Sequence, residues 1–367
     1  MPFHDTDATG FLFYLESRGI DQSQIRMERN QQAKSISAQR PTELKYRYQG
    51  NVIAKVYLTH QQANDQHLLI SKANRAENRD DASGSEAKFQ AAILSYQPDP
   101  GGPTYTIRVG IRLIPLDKEN SSKREDQIQE LTRQQELQGS IDSPHVNKVI
   151  FNQPFDAKTT KTENRKAYTL YELAPYGDAL THLENLIADD PENIPRLIKQ
   201  MVLGLNDTHK MNIVHRDVKL ENFVLFEDGY GKWTDFGFAE QGELFSGIYG
   251  TKGLMAPEMS LDPIYTQKVD VWSIGILAYE IMTGDQEPNP EVHIGQAFYE
   301  KITAECKRPG NQPWGDFVMK CLCPMVDQRP TMAELLEHPW MKSVGDVRLN
   351  MASAIDMCER KDEIGDQ

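Results

Sequence analysis

Cysteine is scarce. The 367-residue chain has four, Cys306, Cys321, Cys323 and Cys358, all near its C-terminal end. That count excludes a disulfide-stapled scaffold, and Cys321-x-Cys323 lacks the two-residue spacer of the common zinc knuckles, so reduced thiols without a metal are expected. Long apolar runs are missing too. Met1–Asp5 has no basic region, and the apolar stretch Gly10–Leu15 soon meets Glu16 and Arg18, so neither a signal peptide nor a membrane span is expected. Positive charge is in deficit: 40 Lys and Arg stand against 54 Asp and Glu, a net charge of -14. This argues against non-specific binding to nucleic acid or an anionic membrane and is compatible with a basic partner. The remaining composition, 39% hydrophobic and 26% charged, is that of an ordinary globular chain long enough for two domains.

What is present is a set of three ordered motifs. His215-Arg216-Asp217-Val218-Lys219-Leu220-Glu221-Asn222 is followed by Asp235-Phe236-Gly237 and then by Ala256-Pro257-Glu258. These residue types suit phosphoryl transfer, whose loose, highly charged transition state asks a protein mainly to position reactants and neutralise charge. A carboxylate must accept or orient the attacking hydroxyl. A hard divalent cation wants oxygen ligands, and a mobile ammonium can hold a phosphate as a point charge.

The three motifs resemble the catalytic loop, magnesium loop and following anchor of the eukaryotic-type protein kinases, with Val218 where the pattern has Leu. The resemblance implies Asp217 as the catalytic base, Lys219 on the γ-phosphate, and Asn222 and Asp235 as ligands of Mg²⁺. Lys219 at its position resembles the serine/threonine class.

Upstream the likeness thins. Residues 1–66 are expected to be an extension holding an apolar patch, Phe11–Leu15, and a hairpin of Glu43–Tyr48 and Val52–Leu58 about a Gly/Asn turn. Lys55 in Val52-Ile53-Ala54-Lys55 mimics the family's ATP lysine, but no glycine loop precedes it, and a surface-strand lysine is the plainer reading. The preferred register takes His67–Lys72 as the first strand and Phe89–Tyr96 as the second. The loop between them carries Ala82-Ser83-Gly84-Ser85-Glu86-Ala87-Lys88-Phe89, in which Gly84 alone survives of three glycines. Such a loop is either a looser phosphate clamp or a plain hairpin turn. Val109-Gly110-Ile111-Arg112 then matches the third strand with Arg112 in place of lysine, which is not a conservative change.

A helix over Ser121–Leu137, capped by Ser121 or Ser122, should follow. Counting back from Ser143-Pro144-His145-Val146, the position of the family's helix glutamate falls on Gln134, and Glu130 lies one turn earlier. Either Arg112 reaches Glu130 or that helix face is simply solvated. With-no-lysine kinases recruit a lysine from the glycine loop, and Lys88 lies near that place.

Tyr168–Leu173 alternates like a buried strand and enters a hinge-like Ala174-Pro175-Tyr176-Gly177-Asp178. By resemblance Glu172 and Ala174 present backbone groups to adenine, Asp178 accepts a ribose hydroxyl, and Val224 forms a floor under the base. Pro154–Lys166 is expected as a surface loop and Ile194–Asn206 as a helix. Phe238–Thr251 corresponds to the activation segment, where Thr251 should bond Asp217 and Lys219, and Ser246 is either a phosphorylation site facing Arg216 or an ordinary loop serine. Glu258 and Arg329 are expected to form a buried ion pair, Asp270 to brace the catalytic-loop backbone, and Val347–Met357 to form a helix.

The expectation is therefore an α+β, bilobal protein-kinase-like fold. Its small antiparallel β lobe with one helix would span 67–173 and its larger, mainly α lobe 174–342, followed by a charged tail at 343–367. The expected activity is a serine/threonine protein kinase using ATP and Mg²⁺ on a protein substrate, in the cytoplasm or, for a secreted effector, a host's cytoplasm. The alternative is a pseudokinase acting as an allosteric or scaffold protein.

Overall fold

The computed structural model describes residues 8–20, 25–29, 42–49, 51–58, 88–97, 101–117, 120–151, 166–285 and 296–352. These fall into two compact units. Among the described residues, one gathers those up to Glu136 together with Lys148–Pro175, the other Leu137–Asn147 and those from Tyr176 to Ala352.

The first unit is a sheet. Its strands are β1 (Arg26–Arg29), β2 (Thr42–Tyr48), β3 (Asn51–Leu58), β4 (Lys88–Tyr96), β5 (Tyr105–Pro115), β6 (Val149–Phe151) and β7 (Lys166–Glu172), and the described residues order them β1-β2-β3-β4-β5-β7-β6, antiparallel throughout. Period-two patterning builds it: Ala92, Leu94 and Tyr96 of β4 are buried while Ile93 is exposed. Helix α1 (Ala8–Ser17) explains the apolar patch near the start of the chain, because Phe11, Tyr14 and Leu15 are buried in the same core as Val56, Leu94, Val109 and Leu170. The ring of Phe11 meets that of Tyr96 edge-on at 4.7 Å.

Two expectations change here. The strand preceding β4 in the sheet is β3, with Ala54–Leu58 paired to Ala92–Tyr96, rather than His67–Lys72, which lies outside the described residues. The hairpin of β2 and β3 is thus continuous with the sheet. Helix α2 (Ser121–Gly139) is capped one residue earlier than expected, since the Lys123 backbone N–H donates to the Asn120 side chain at 3.1 Å. Its Ile128 and Leu131 pack on Ile114, Leu116 and Ala167.

The second unit is mainly helical: α3 (Ala179–Asp189), α4 (Asn193–Lys210), α5 (Glu258–Leu261), α6 (Lys268–Thr283), α7 (Gln296–Cys306), α8 (Trp314–Cys321), α9 (Met332–Leu336) and α10 (Pro339–Ser343). Four short strands, β8 (Ile213–Val214), β9 (Phe223–Leu225), β10 (Gly231–Trp233) and β11 (Glu240–Gln241), form the pairs β9–β10 and β8–β11. Helix α6 is apolar almost all round and buried along most of its length, as a central helix must be. Gly275 permits its contact with α8, for a Cβ there would lie 2.6 Å from that of Cys321. Burial pushes the Cys306 thiol up to about 12, which leaves it protonated and inert.

Arg329 donates to both Glu258 oxygens at 2.6 and 3.1 Å, and both side chains are buried, as expected from their separation. The stretch after α10 is not the expected helix up to Met351. Its carbonyls and amides are taken by α4 side chains: Lys199 donates to Val344 O at 2.7 Å, Gln200 to Val347 O at 2.6 Å, and Asn193 exchanges bonds with Asn350 at 2.8 and 2.9 Å. Backbone groups so committed are unavailable for helical pairing. Among the described residues no helix is long and apolar enough to cross a membrane.

Candidate active site

The loop between β8 and β9 carries the first motif, and its backbone is held from below. Asp270 of α6 accepts the N–H groups of His215 and Arg216, each at 2.9 Å, and the Nε2–H of His209 at 2.8 Å. Burial alone would raise this carboxyl's pKa; the His209 bond and the charges of His209 and His215 hold it below the ordinary carboxylate range. Arg216 has a left-handed φ of 66°, a strained geometry that the bonds to Asp270 hold in place.

From this base the chemical groups converge on Asp217. Thr251 donates to its Oδ1 at 2.8 Å, Asn222 Nδ2 to Oδ2 at 2.9 Å, and Lys219 Nζ lies 3.0 Å from Oδ2. Lys219 also donates to Thr251 Oγ1 at 3.2 Å, so base, lysine and threonine form one network. Charge-assisted bonds of this kind are short and directional and hold side chains in register.

Asp235, with φ 57°, follows β10. The preceding Thr234 donates its N–H to Asn222 O at 2.9 Å, and its carbonyl lies 3.2 Å from His215 Nε2. The residue before Asp235 is thereby paired to Asn222, and Phe236 packs on His215 with ring centroids 4.8 Å apart. An amide oxygen and a carboxylate are a donor set suited to Mg²⁺, which keeps most of its shell for water and phosphate oxygens.

The remaining predicted residues distribute unevenly. Val224 is buried in β9, and Glu172 pairs with Val109 across β7 and β5, while its N–H donates to Lys148 O at 3.0 Å. Ala174 follows β7 and is half-buried. Asp178 caps α3. Its two oxygens accept from Thr181 at 2.8 to 3.1 Å, and it is 5% exposed. Gly84 lies outside the described residues, and of Lys88 the structure describes the backbone, which starts β4 opposite Leu113.

Arg112 is in β5 opposite Thr169 of β7. On α2, Glu130 is exposed, bonded by Arg133 at 2.6 Å and by Gln134 at 3.0 Å. The α2 side chain that hydrogen-bonds Thr169, the cross-strand partner of Arg112, is the buried Gln135, whose amide donates to the Thr169 hydroxyl. Sequence counting points to Gln134; the helical face shared by Ile128, Leu131 and Gln135 is the signal for Gln135.

Beside Thr251 lies a cavity of about 190 Å³ lined by Glu221, Glu280, Leu183, Leu254 and Phe298 among others. Neither glutamate pairs with a cation among the described residues. Burial first, and then the nearby Glu221 charge, push the Glu280 carboxyl up to about 7. Sequence reading had not singled out this pair.

Comparison with known families places this fold. The protein kinase domain model matches residues 107–341, so this chain belongs to the protein kinase family. It is 27% identical to mouse (Mus musculus) Aurora kinase B over 58% of this chain and 61% of that protein. It is 30% identical to the Aurora kinase of Schizosaccharomyces pombe over 50% of this chain and 53% of that one. A mouse hormonally up-regulated neu tumor-associated kinase is 28% identical over 64% of this chain and 33% of its own length. The chain thus spans between a third and about three-fifths of these relatives.

Proposed function

We propose that this protein is an active serine/threonine kinase that transfers the γ-phosphoryl group of ATP to a protein hydroxyl. The observation that supports it is the intact network of Asp217, Lys219, Asn222 and Thr251 on a loop braced by Asp270. In this reading the substrate hydroxyl attacks the γ-phosphorus, its proton passes to a carboxylate oxygen of Asp217, and the bond to the ADP oxygen breaks. Lys219 offsets the charge that gathers on the moving group, and Thr251 keeps lysine and base aligned. Asn222 and Asp235 would hold Mg²⁺, which neutralises phosphate charge when bound. By the family resemblance Gly84, Lys88, Arg112, Glu172, Ala174, Asp178 and Val224 would serve the nucleotide. The cavity with Glu221 and Glu280 would take a basic side chain of the protein substrate, consistent with the net charge of -14. We expect the protein to act in the cytoplasm, its own cell's or a host's.

A second reading, a pseudokinase that acts as a scaffold, is favoured by one observation: the α2 side chain that reaches the sheet beside Arg112's strand partner is an amide, Gln135, where a carboxylate would anchor the cation. Autophosphorylation with Mg-ATP separates the two. Labelling lost in Asp217→Ala and Asp235→Ala supports the kinase; labelling that persists in Asp217→Ala sinks it. The absence of any thermal stabilisation by Mg-ATP would favour a scaffold that does not bind nucleotide. Comparing Arg112→Met with Lys88→Met identifies which cation serves the phosphates.

A further inference from the structure

Arg216 does more than precede the catalytic aspartate. Its side chain is 5% exposed, and a buried guanidinium needs both a counter-charge and acceptors for its N–H groups. Almost all of these come from one stretch of chain, Phe238–Tyr265. Nε donates to Phe238 O at 2.5 Å, and Nη1 donates to Ser246 O and to the Tyr265 hydroxyl, each at 3.3 Å. The Tyr249 ring covers the guanidinium, its centroid 4.3 Å from Cζ. All of these partners are neutral. The charge comes from Glu240, whose carboxylate lies 2.8 Å from Nη1.

The position of Glu240 is set by backbone pairing, not by side-chain chance. Glu240 pairs with Val214 across β11 and β8, two residues before Arg216, so the strand pairing delivers the carboxylate to the arginine. At the far end of the segment Gly250, with φ 111°, passes so close to Arg216 that a Cβ there would lie 2.3 Å from the Arg216 carbonyl oxygen. Arg216 is therefore gripped at its side chain by residues 238–249 and at its backbone by Gly250. Immediately beyond lies Thr251, bonded to Asp217.

We propose that Glu240 is a built-in counter-ion for Arg216 that holds the segment Phe238–Gly250 in order without phosphorylation of Ser246 or Tyr249. An unpaired buried arginine here would call for an external anion, and a phosphoryl group on the segment is the covalent way to supply one. Glu240 removes that demand. A phosphate on Ser246 would bring a second anion to a cation already paired, and the Ser246 carbonyl is already committed to Arg216 and Tyr265. Glu240 is a positioning residue: it touches Arg216, not the reacting atoms. Its side chain is 47% exposed, so a soluble anion can reach the same place.

The consequence for activity rests on the kinase reading; the consequence for order does not, so the test reads both. Full-length protein is treated with a phosphatase, shown by intact-mass measurement to carry no phosphate, and compared with Glu240→Gln and Ser246→Ala. Hydrogen exchange over residues 238–250 and Mg-ATP-dependent phosphoryl transfer are measured for each. Expected are protected amides in the unphosphorylated wild type and in Ser246→Ala, with transfer within about twofold of each other. Glu240→Gln should exchange about tenfold faster in this segment alone and transfer about tenfold more slowly. Inorganic phosphate or sulfate should restore part of both in Glu240→Gln and change neither in the wild type, a rescue that a merely structural role would not show. Rapid exchange in the unphosphorylated wild type, unchanged exchange in Glu240→Gln, or an effect of Ser246→Ala as large as that of Glu240→Gln overturns the proposal. If no form transfers phosphate, the kinase reading fails, while the exchange data still decide this one.

Discussion

Replacing Asp270 by asparagine should loosen the fold and disable the catalytic loop in one step. The carboxylate is buried and accepts two backbone N–H groups at 2.9 Å and the His209 ring at 2.8 Å. An amide of the same shape keeps one acceptor oxygen and turns an NH₂ group toward the remaining donor. One donor is then buried without an acceptor, at about 1–3 kcal/mol, and the surviving bonds fall from charge-assisted to neutral strength, at about 1 kcal/mol more. The expected loss is about 3 kcal/mol by urea denaturation at pH 7. Turnover should fall as well, because His215 and Arg216 place Asp217. The pH dependence gives a second reading. The folded-state pKa of Asp270 lies below its unfolded value, so its stabilisation is present above about pH 4 and is lost as pH falls through the lower folded-state value. The wild type should lose this contribution as pH falls below about 4, and Asp270→Asn should lack that step. A variant within about 1 kcal/mol of wild type at pH 7 with unchanged turnover would refute the role assigned to Asp270.

Other outcomes follow from the same geometry. If Asp217 is the base as proposed, Asp217→Ala should lower phosphoryl transfer by about 10³-fold in steady-state assays while keeping a near wild-type melting temperature. Thr251→Ala should cut kcat by about tenfold and Thr251→Ser much less, because the serine hydroxyl can still join Lys219 to Asp217. Arg329→Ala leaves Glu258 buried without its partner and should cost about 3–5 kcal/mol in chemical denaturation. With a Lys- or Arg-containing peptide, KM should fall as pH rises through about 7 and Glu280 ionises; Glu280→Gln should raise KM about tenfold and abolish that step.

The large unit was the more legible in sequence, and the reason is local. Asp217, Lys219 and Asn222 sit within one short loop, so their mutual spacing already restricts where their side chains point. Thr251, Asp270 and the Glu258–Arg329 pair lie further away, yet each belongs to a motif of its own. The small unit was harder to read because its order depends on strand pairing over long separations. Nothing near Ala54–Leu58 announces that it pairs with Ala92–Tyr96 across the intervening residues, so local patterning points to His67–Lys72 instead. Single-residue offsets were lost as well: Asn120 instead of Ser121 as the cap, and Gln135 instead of Gln134 against the sheet.

The sequence by itself determined which chemical groups are on offer, the carboxylates of Asp217 and Asp235, the ammonium of Lys219 and the amide of Asn222, because these are fixed by residue type and short spacing. Tertiary structure alone decided which charges meet. It turned Asp178 into a helix cap, tied the segment after α10 to α4, and set Glu240 against Arg216, because partners remote in sequence meet only when strands pair and helices pack. A buried charge is tolerated only where such a meeting supplies its counter-charge.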